Sequence, residues 1–150
     1  MIAYPDTSFL CALYRSQMNS IRAAEHFAEM PEPLHVSSPL IFEFRQSLRW
    51  QAYLHTKDPT KGFPKHSANI ALHQLNANIS TGAVVVAPID WSDVASIAER
   101  LSAQHTWTKG YRGFDLLHVA TALHLGVEEF LTFDAKQKQL AESEDLTVPF

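Results

Sequence analysis

Short apolar runs alternate with longer segments of helical character along this chain of 150 residues. Strands are predicted for the apolar runs, at 2–4, 34–37, 83–87, 130–133 and 146–148. Strands separated by helices favour a parallel sheet, because a parallel crossover needs a dozen or more residues and usually contains a helix. We therefore predict an α/β fold with three layers, α/β/α, around a mostly parallel central sheet of four or five strands.

Capping residues and prolines set the predicted helix boundaries. Helices are predicted to end at Tyr14 and then to span 21–30, 39–55, 67–80, about 90–105, 115–125 and 135–142. The valine-rich run 83–87 predicts a central strand that is buried on both faces. Loops are predicted at 55–66, which contains proline, glycine and three lysines, and at 106–113.

Length and composition predict one globular domain covering residues 1–150, since 46% of the residues are hydrophobic and 19% are charged. The single cysteine, Cys11, excludes an intramolecular disulfide and is typical of a reducing cytoplasm. No leader peptide and no membrane span are expected, so we predict a cytoplasmic protein without a membrane partner. The formal charge of −4 argues against coating of nucleic acid by bulk charge, although a local basic rim could still guide RNA.

Four acidic residues sit beside apolar runs: Asp6, Glu43, Asp115 and Asp134. Asp6 and Asp134 directly follow predicted strands, and ligands of parallel sheets bind beyond the carboxyl ends of the strands. Glu43 and Asp115 fall in the first turns of predicted helices. All four carboxylates are therefore predicted to face one crevice.

Carboxylates this close together need a cation. Two of them about 4 Å apart repel by roughly 4 kcal/mol at an effective dielectric constant near 20. Mg²⁺, or alternatively Mn²⁺, binds oxygen ligands and keeps several waters, and such an ion can activate a water for in-line attack on a phosphodiester. Zinc is disfavoured because the histidines lack ligand spacing.

The same residues resemble a known family. Tyr-Pro-Asp-Thr-Ser-Phe-Leu from Tyr4, Glu43 early in a helix, Asp-Leu-Leu-His-Val-Ala-Thr-Ala-Leu from Asp115 and Leu-Thr-Phe-Asp from Leu131 resemble the PIN-domain nucleases. Within these, the pattern is most similar to the VapC toxins of bacterial and archaeal toxin–antitoxin pairs. The order of the four acids with these flanks carries the resemblance, which extends from residue 2 to about 148.

The resemblance implies a metal-dependent endoribonuclease that is a homodimer and is controlled by a small VapB-like antitoxin. It implies that the metal-binding and catalytic pocket consists of four acids: Asp6, Glu43, Asp115 and Asp134. Thr7 would hydrogen-bond within that pocket, and Thr132 lies where the family often has a serine or threonine. The alternative is a PIN fold that binds antitoxin or RNA without cleaving it. A phosphatase with Asp6 as nucleophile is disfavoured, because Ser8 stands where such enzymes have a second aspartate.

Each accessory residue has a second interpretation. His118 could orient Asp115 or contact RNA, but a buried histidine in helix packing explains it too. Arg112 could contact a phosphate or could be an exposed loop residue. The lysines of 57–65 could form a basic rim for RNA or a solvated loop. Trp107 and Tyr111 are the aromatic residues to test for base stacking.

Overall fold

The computed structural model describes residues 2–150, which form four strands and eight helices. The strands are β1 (Ala3–Pro5), β2 (Leu34–Val36), β3 (Val84–Val86) and β4 (Glu129–Leu131). The helices are α1 (Thr7–Tyr14), α2 (Ser20–Glu29), α3 (Ser38–Lys57), α4 (Lys65–Thr81), α5 (Trp91–Leu101), α6 (Trp107–Lys109), α7 (Gly113–Leu125) and α8 (Ala135–Ser143). A π-helical turn, Ser102–Thr106, joins α5 to α6.

The four strands form two parallel pairs, β1 with β4 and β2 with β3. The two pairs lie side by side, and the hydroxyls of Tyr4 and Ser37 share a hydrogen bond of 2.6 Å between them. The predicted fold class is therefore confirmed. The predicted last strand at 146–148 is reduced to a single parallel bridge between Glu129 and Thr147.

The valine-rich strand β3 differs from its prediction. It pairs with β2 and with no other strand in residues 2–150, so it is an edge strand. Val84 is buried, but Val85 and Val86 are 36% and 40% exposed. The prediction of a central strand was wrong because a continuous apolar run gives no information about whether a second strand covers it.

Short polar side chains cap the N-termini of helices that follow the strands. The Asp6 carboxylate accepts a hydrogen bond from the Phe9 N–H at 3.0 Å at the start of α1. The Ser37 hydroxyl accepts one from the Leu40 N–H at 3.3 Å, with Pro39 in the first turn of α3. Such caps satisfy N–H groups that have no partner inside the helix. They also fix the positions at which β1 and β2 end and the following helices begin.

Several helical segments are longer than predicted. Helix α3 continues to Lys57 and α4 begins at Lys65, so the connecting loop is only 58–64. Gly62 in this loop has a φ of +58°, and an added Cβ would lie 2.0 Å from the Gln51 carbonyl oxygen of α3. Helical structure also extends through the π-helical turn and α6 to Lys109, into the predicted loop, because no glycine or proline interrupts it before Gly110.

The core is built on fully buried aromatic side chains from strands and helices, among them Tyr4, Phe9, Phe44 and Phe130. Helices pack in pairs around it, α1 with α2, α3 with α4 and α5 with α7. Cys11 is buried in α1. Within residues 2–150, no helix combines the length and the apolar character that a membrane crossing requires.

Candidate active site

All four predicted acids line one cavity of about 170 Å³. Asp6 directly follows β1, and Asp134 lies three residues beyond the end of β4, its parallel neighbour. Glu43 comes from α3 and Asp115 from the first turn of α7. The other residues that line the cavity are Thr7, Ser8, His118 and Gln137.

Asp6 is the most buried of the four acids, with only 3% of its surface exposed. Its Oδ1 accepts hydrogen bonds from the Ser8 hydroxyl at 2.6 Å and from the Phe9 N–H at 3.0 Å, and its Oδ2 accepts one from the Thr132 hydroxyl at 2.6 Å. Burial raises the pKa of the Asp6 carboxyl above its ordinary value, although these three donors oppose the rise. The carboxylate is therefore rigidly placed and costly to ionise.

Thr132 connects the first and fourth acids. Besides donating to Asp6, its buried hydroxyl oxygen accepts a hydrogen bond from the Asp134 N–H at 3.0 Å. The side chain of Asp134 is exposed and caps α8, since its Oδ1 accepts from the Gln137 N–H at 2.9 Å. One threonine thus sets the spacing between a buried and an exposed carboxylate.

Glu43 is held through a single oxygen. Its Oε2 accepts hydrogen bonds from the Thr7 hydroxyl and, at 2.5 Å, from His118 Nε2. Burial raises the pKa of Glu43, but the hydrogen bonds from His118 and Thr7 outweigh this and leave it below the ordinary value. His118 is buried on α7 and is bonded to Glu43, so it positions this acid and not Asp115.

Asp115 is the acid on which electrostatic repulsion is most evident. Burial raises its pKa, and the charges of Asp134 and Glu43 raise it further, against a smaller lowering by His118. Its Oδ1 lies 3.4 Å from the side-chain nitrogen of Gln137, which donates to it. Carboxylates from α7, α3 and the start of α8 therefore act on one another across the cavity.

The donor set fits a hydrated divalent cation. In residues 2–150, no three histidine, cysteine or acidic side chains converge closely enough to bind one ion directly. Mg²⁺ does not need this, because it keeps several waters and binds through one or two carboxylates. Gln137, which lines the cavity, also has a buried side-chain oxygen, Oε1, without a hydrogen-bond partner among residues 2–150. A cation with bound waters would relieve both the carboxylate repulsion and the unpartnered carbonyl oxygen.

The remaining predicted residues lie outside the cavity. The exposed Arg112 precedes α7, where its carbonyl oxygen accepts from the Leu116 N–H at 3.2 Å. Tyr111 is only 6% exposed, which removes it as a stacking surface, whereas Trp107 is 90% exposed.

Sequence reasoning missed Gln137 and gave Ser8 no place in the pocket. Ser8 lies within the first acidic motif and bonds Asp6, so its position two residues after that acid was an available signal. Gln137 is the third residue after Asp134, where a helix turns its first side chains back toward the cap. The sequence did not distinguish it from other polar residues of α8 such as Gln139, which is exposed.

Two solved structures share this architecture at low sequence identity. VapC20 from Mycobacterium tuberculosis, described as a sarcin–ricin loop cleaving toxin, aligns with a TM-score of 0.62 and 20% identity over 91% of this chain and 93% of that chain. FitAcB from Neisseria gonorrhoeae aligns with a TM-score of 0.61 and 17% identity over 98% and 96% of the two chains. At such identities the likeness establishes the fold alone. No curated protein sequence matches the chain.

The family assignment comes from the sequence itself. The model of the PIN domain family matches residues 3–143, which include the four cavity acids and all four strands. This chain belongs to the PIN domain family.

Proposed function

We propose that this protein is a divalent-metal-dependent endoribonuclease that acts as the toxin of a VapBC-type toxin–antitoxin pair. The observation that carries the proposal is the convergence of Asp6, Glu43, Asp115 and Asp134 on one cavity. Helix capping explains Asp6 and Asp134 singly, and Asp115 lies in the first turn of α7, where a helix start favours negative charge, but neither reason applies to Glu43. A cluster of carboxylates that repel one another is better explained by a cationic ligand.

The cation is Mg²⁺, or Mn²⁺ in its place, held directly or through water by Asp6, Asp115 and Asp134. When bound, such an ion neutralises charge on a phosphodiester and makes a bound water more acidic. Glu43 contributes its second oxygen. Its Oε2 is occupied by Thr7 and His118, which leaves Oε1 to accept a proton or a hydrogen bond from a water in the cavity.

Positive side chains beside the cavity support a polyanionic substrate. A neighbouring cavity of about 230 Å³ shares Asp134 and is also lined by Arg22 and Lys138. Arginine and lysine side chains commonly bind phosphate oxygens and so position a nucleic acid on a protein. The structural relative VapC20 is a toxin that cleaves the sarcin–ricin loop, which supports RNA as the substrate class here.

Two protein partners belong to the proposal. A VapB-like antitoxin would inhibit the enzyme by occluding the cavity, and a second copy of the chain would form a homodimer. Both follow from the resemblance to the VapC toxins. An open reading frame for a small antitoxin beside this gene would support the pairing, and co-expression with its product should abolish cleavage.

The test is cleavage of RNA by purified protein that is free of any partner. Wild type should cut single-stranded RNA with Mg²⁺ and lose activity in excess chelator. Asp115→Asn should lose at least about 100-fold in rate, since it removes a metal-binding carboxylate. Glu99→Gln, a change at an exposed acid on α5, is the matched control and should be fully active. If wild type binds RNA but does not cleave it with Mg²⁺ or with Mn²⁺, the protein is instead a binding module.

A further inference from the structure

We propose that Gln137 is a further binding residue of the acid cavity: its Nε2 holds Asp115 and its Oε1 accepts a hydrogen bond from water on the divalent cation. The inference rests on the proposed function and names one more residue of the same site. Gln137 lines the cavity and is only 2% exposed. Its backbone N–H donates to Asp134 at 2.9 Å and its side-chain N–H donates to Asp115 at 3.4 Å.

The orientation of the amide follows from the chemistry of its neighbour. An ionised carboxylate only accepts hydrogen bonds, so the amide nitrogen of Gln137 must face Asp115. The carbonyl oxygen is then the free end, and it is buried without a hydrogen-bond partner in residues 2–150.

A buried carbonyl oxygen without a donor is unfavourable, so the partner of Oε1 must be found. The carboxylates of the cavity cannot donate. The cavity hydroxyls are already engaged, Thr7 with Glu43 and Ser8 with Asp6. His118 Nε2 is also bonded to Glu43. In the described residues these side chains leave no donor for Oε1, so a water in the cavity must supply it.

A hydrated divalent cation supplies that donor and matches the surrounding charge. Water bound to a cation is a strong donor, and the same cation offsets the repulsion that acts on Asp115. Gln137 is thus placed to connect the carboxylate of α7 with the hydration shell of the ion. A glutamine used only for packing would leave its oxygen unsatisfied in both the empty and the loaded protein.

The experiment measures Mn²⁺ binding by calorimetry and thermal unfolding with and without Mn²⁺, so neither readout depends on cleavage. Gln137→Met keeps the length of the side chain and removes both polar atoms. We expect Mn²⁺ affinity to fall 10- to 100-fold, the usual loss when a group supporting a metal site is removed. The Tm of the metal-free variant should equal or exceed that of wild type, because an unsatisfied buried atom has been removed.

Two further variants make the test specific. Gln139→Met, an exposed position on the same helix, is the matched control and should bind Mn²⁺ as wild type does. Gln137→Glu keeps an oxygen acceptor and adds a charge, so it should bind Mn²⁺ at least as tightly as wild type. The Glu variant also tests the proposal if the Met variant fails to fold, since Mn²⁺ affinity below that of wild type would contradict it.

The outcomes separate this inference from the proposed function. Wild-type Mn²⁺ affinity in Gln137→Met, with or without lower stability, would leave Gln137 a packing residue and overturn the inference alone. Absence of any Mn²⁺ or Mg²⁺ binding by wild type would overturn the metal-dependent function and the inference together.

Discussion

At the scale of single residues, Asp6 serves two roles that substitutions can separate. It caps α1 and receives two hydroxyl donors, and it also presents charge to the cavity. Asparagine keeps an acceptor for the cap and removes the charge. Alanine removes both, and it leaves buried donors without a partner.

We therefore expect different stabilities but the same loss of activity in these two variants. Asp6→Asn should be inactive and close to wild type in its free energy of unfolding. Asp6→Ala should be inactive and less stable by about 1–3 kcal/mol, from the lost cap and the unpaired donors. Urea unfolding and an RNA cleavage assay measure the two properties. Cleavage at wild-type rate by Asp6→Asn would show that the charge is not needed.

At the scale of elements, Glu144 at the end of α8 fastens that helix to α5 and the π-helical turn. Its carboxylate accepts from Arg100 at 2.9 Å and lies 3.3 Å from His105 Nε2. Burial raises the pKa of Glu144, but the hydrogen bonds from Arg100 and His105 hold it below its ordinary value of 4.5. Because the folded pKa is the lower one, this contribution to stability is present above pH 4.5 and is lost as the pH falls through the folded value.

Glu144→Gln should therefore lower the Tm at pH 7 and have little effect near pH 3. The loss should be under about 1 kcal/mol, since half of the Arg100 side chain is exposed to solvent. Calorimetry at both pH values measures it. Glu142→Gln, which alters an exposed pair with Lys138 on the same helix, is the control and should leave the Tm unchanged. An equal loss for Glu144→Gln at pH 3 would exclude the ionic explanation.

The same elements mark what sequence could and could not predict. Acids that follow parallel strands must share an edge, so the convergence of Asp6 and Asp134 was predictable from the strand pattern alone. The exposure of Val85 could not be predicted from the sequence, because it depends on how many strands pair beyond β2. The burial of Gln137 was not predictable from the sequence either, because it depends on the packing of α8 against α7 and not on the neighbouring residues.

At the scale of the whole molecule, the proposed function requires a protein of formal charge −4 to bring a polyanion to an acidic cavity. The lysine-bearing loop is its most concentrated source of positive charge, with Lys57, Lys61 and Lys65 in or beside residues 58–64. Lys57 lies 5.5 Å from the ring centre of Tyr53, whose ring is tilted by 31° against that of the half-exposed Trp50. Cations beside exposed aromatic rings are typical of single-stranded nucleic-acid binding.

Changing these three lysines to glutamine should raise the KM for RNA several-fold and leave kcat unchanged. The dependence of binding on salt should weaken as well, by a slope of about 0.7 for each phosphate that a lysine no longer neutralises. Steady-state kinetics at two salt concentrations measure both effects. The corresponding arginine variant preserves the charge and should behave as wild type. An unchanged KM in the glutamine variant would mean that this loop is merely solvated.

The close approach of Gly62 to Gln51 has a consequence for this loop. Close approach to the backbone of α3, with no room for a side chain at the turn, restricts the conformations open to this segment. Lys61 in this segment, like Lys57 and Lys65 in the helices that flank it, would then bind a ligand after most of its backbone entropy has been lost in folding. Little further ordering would oppose binding.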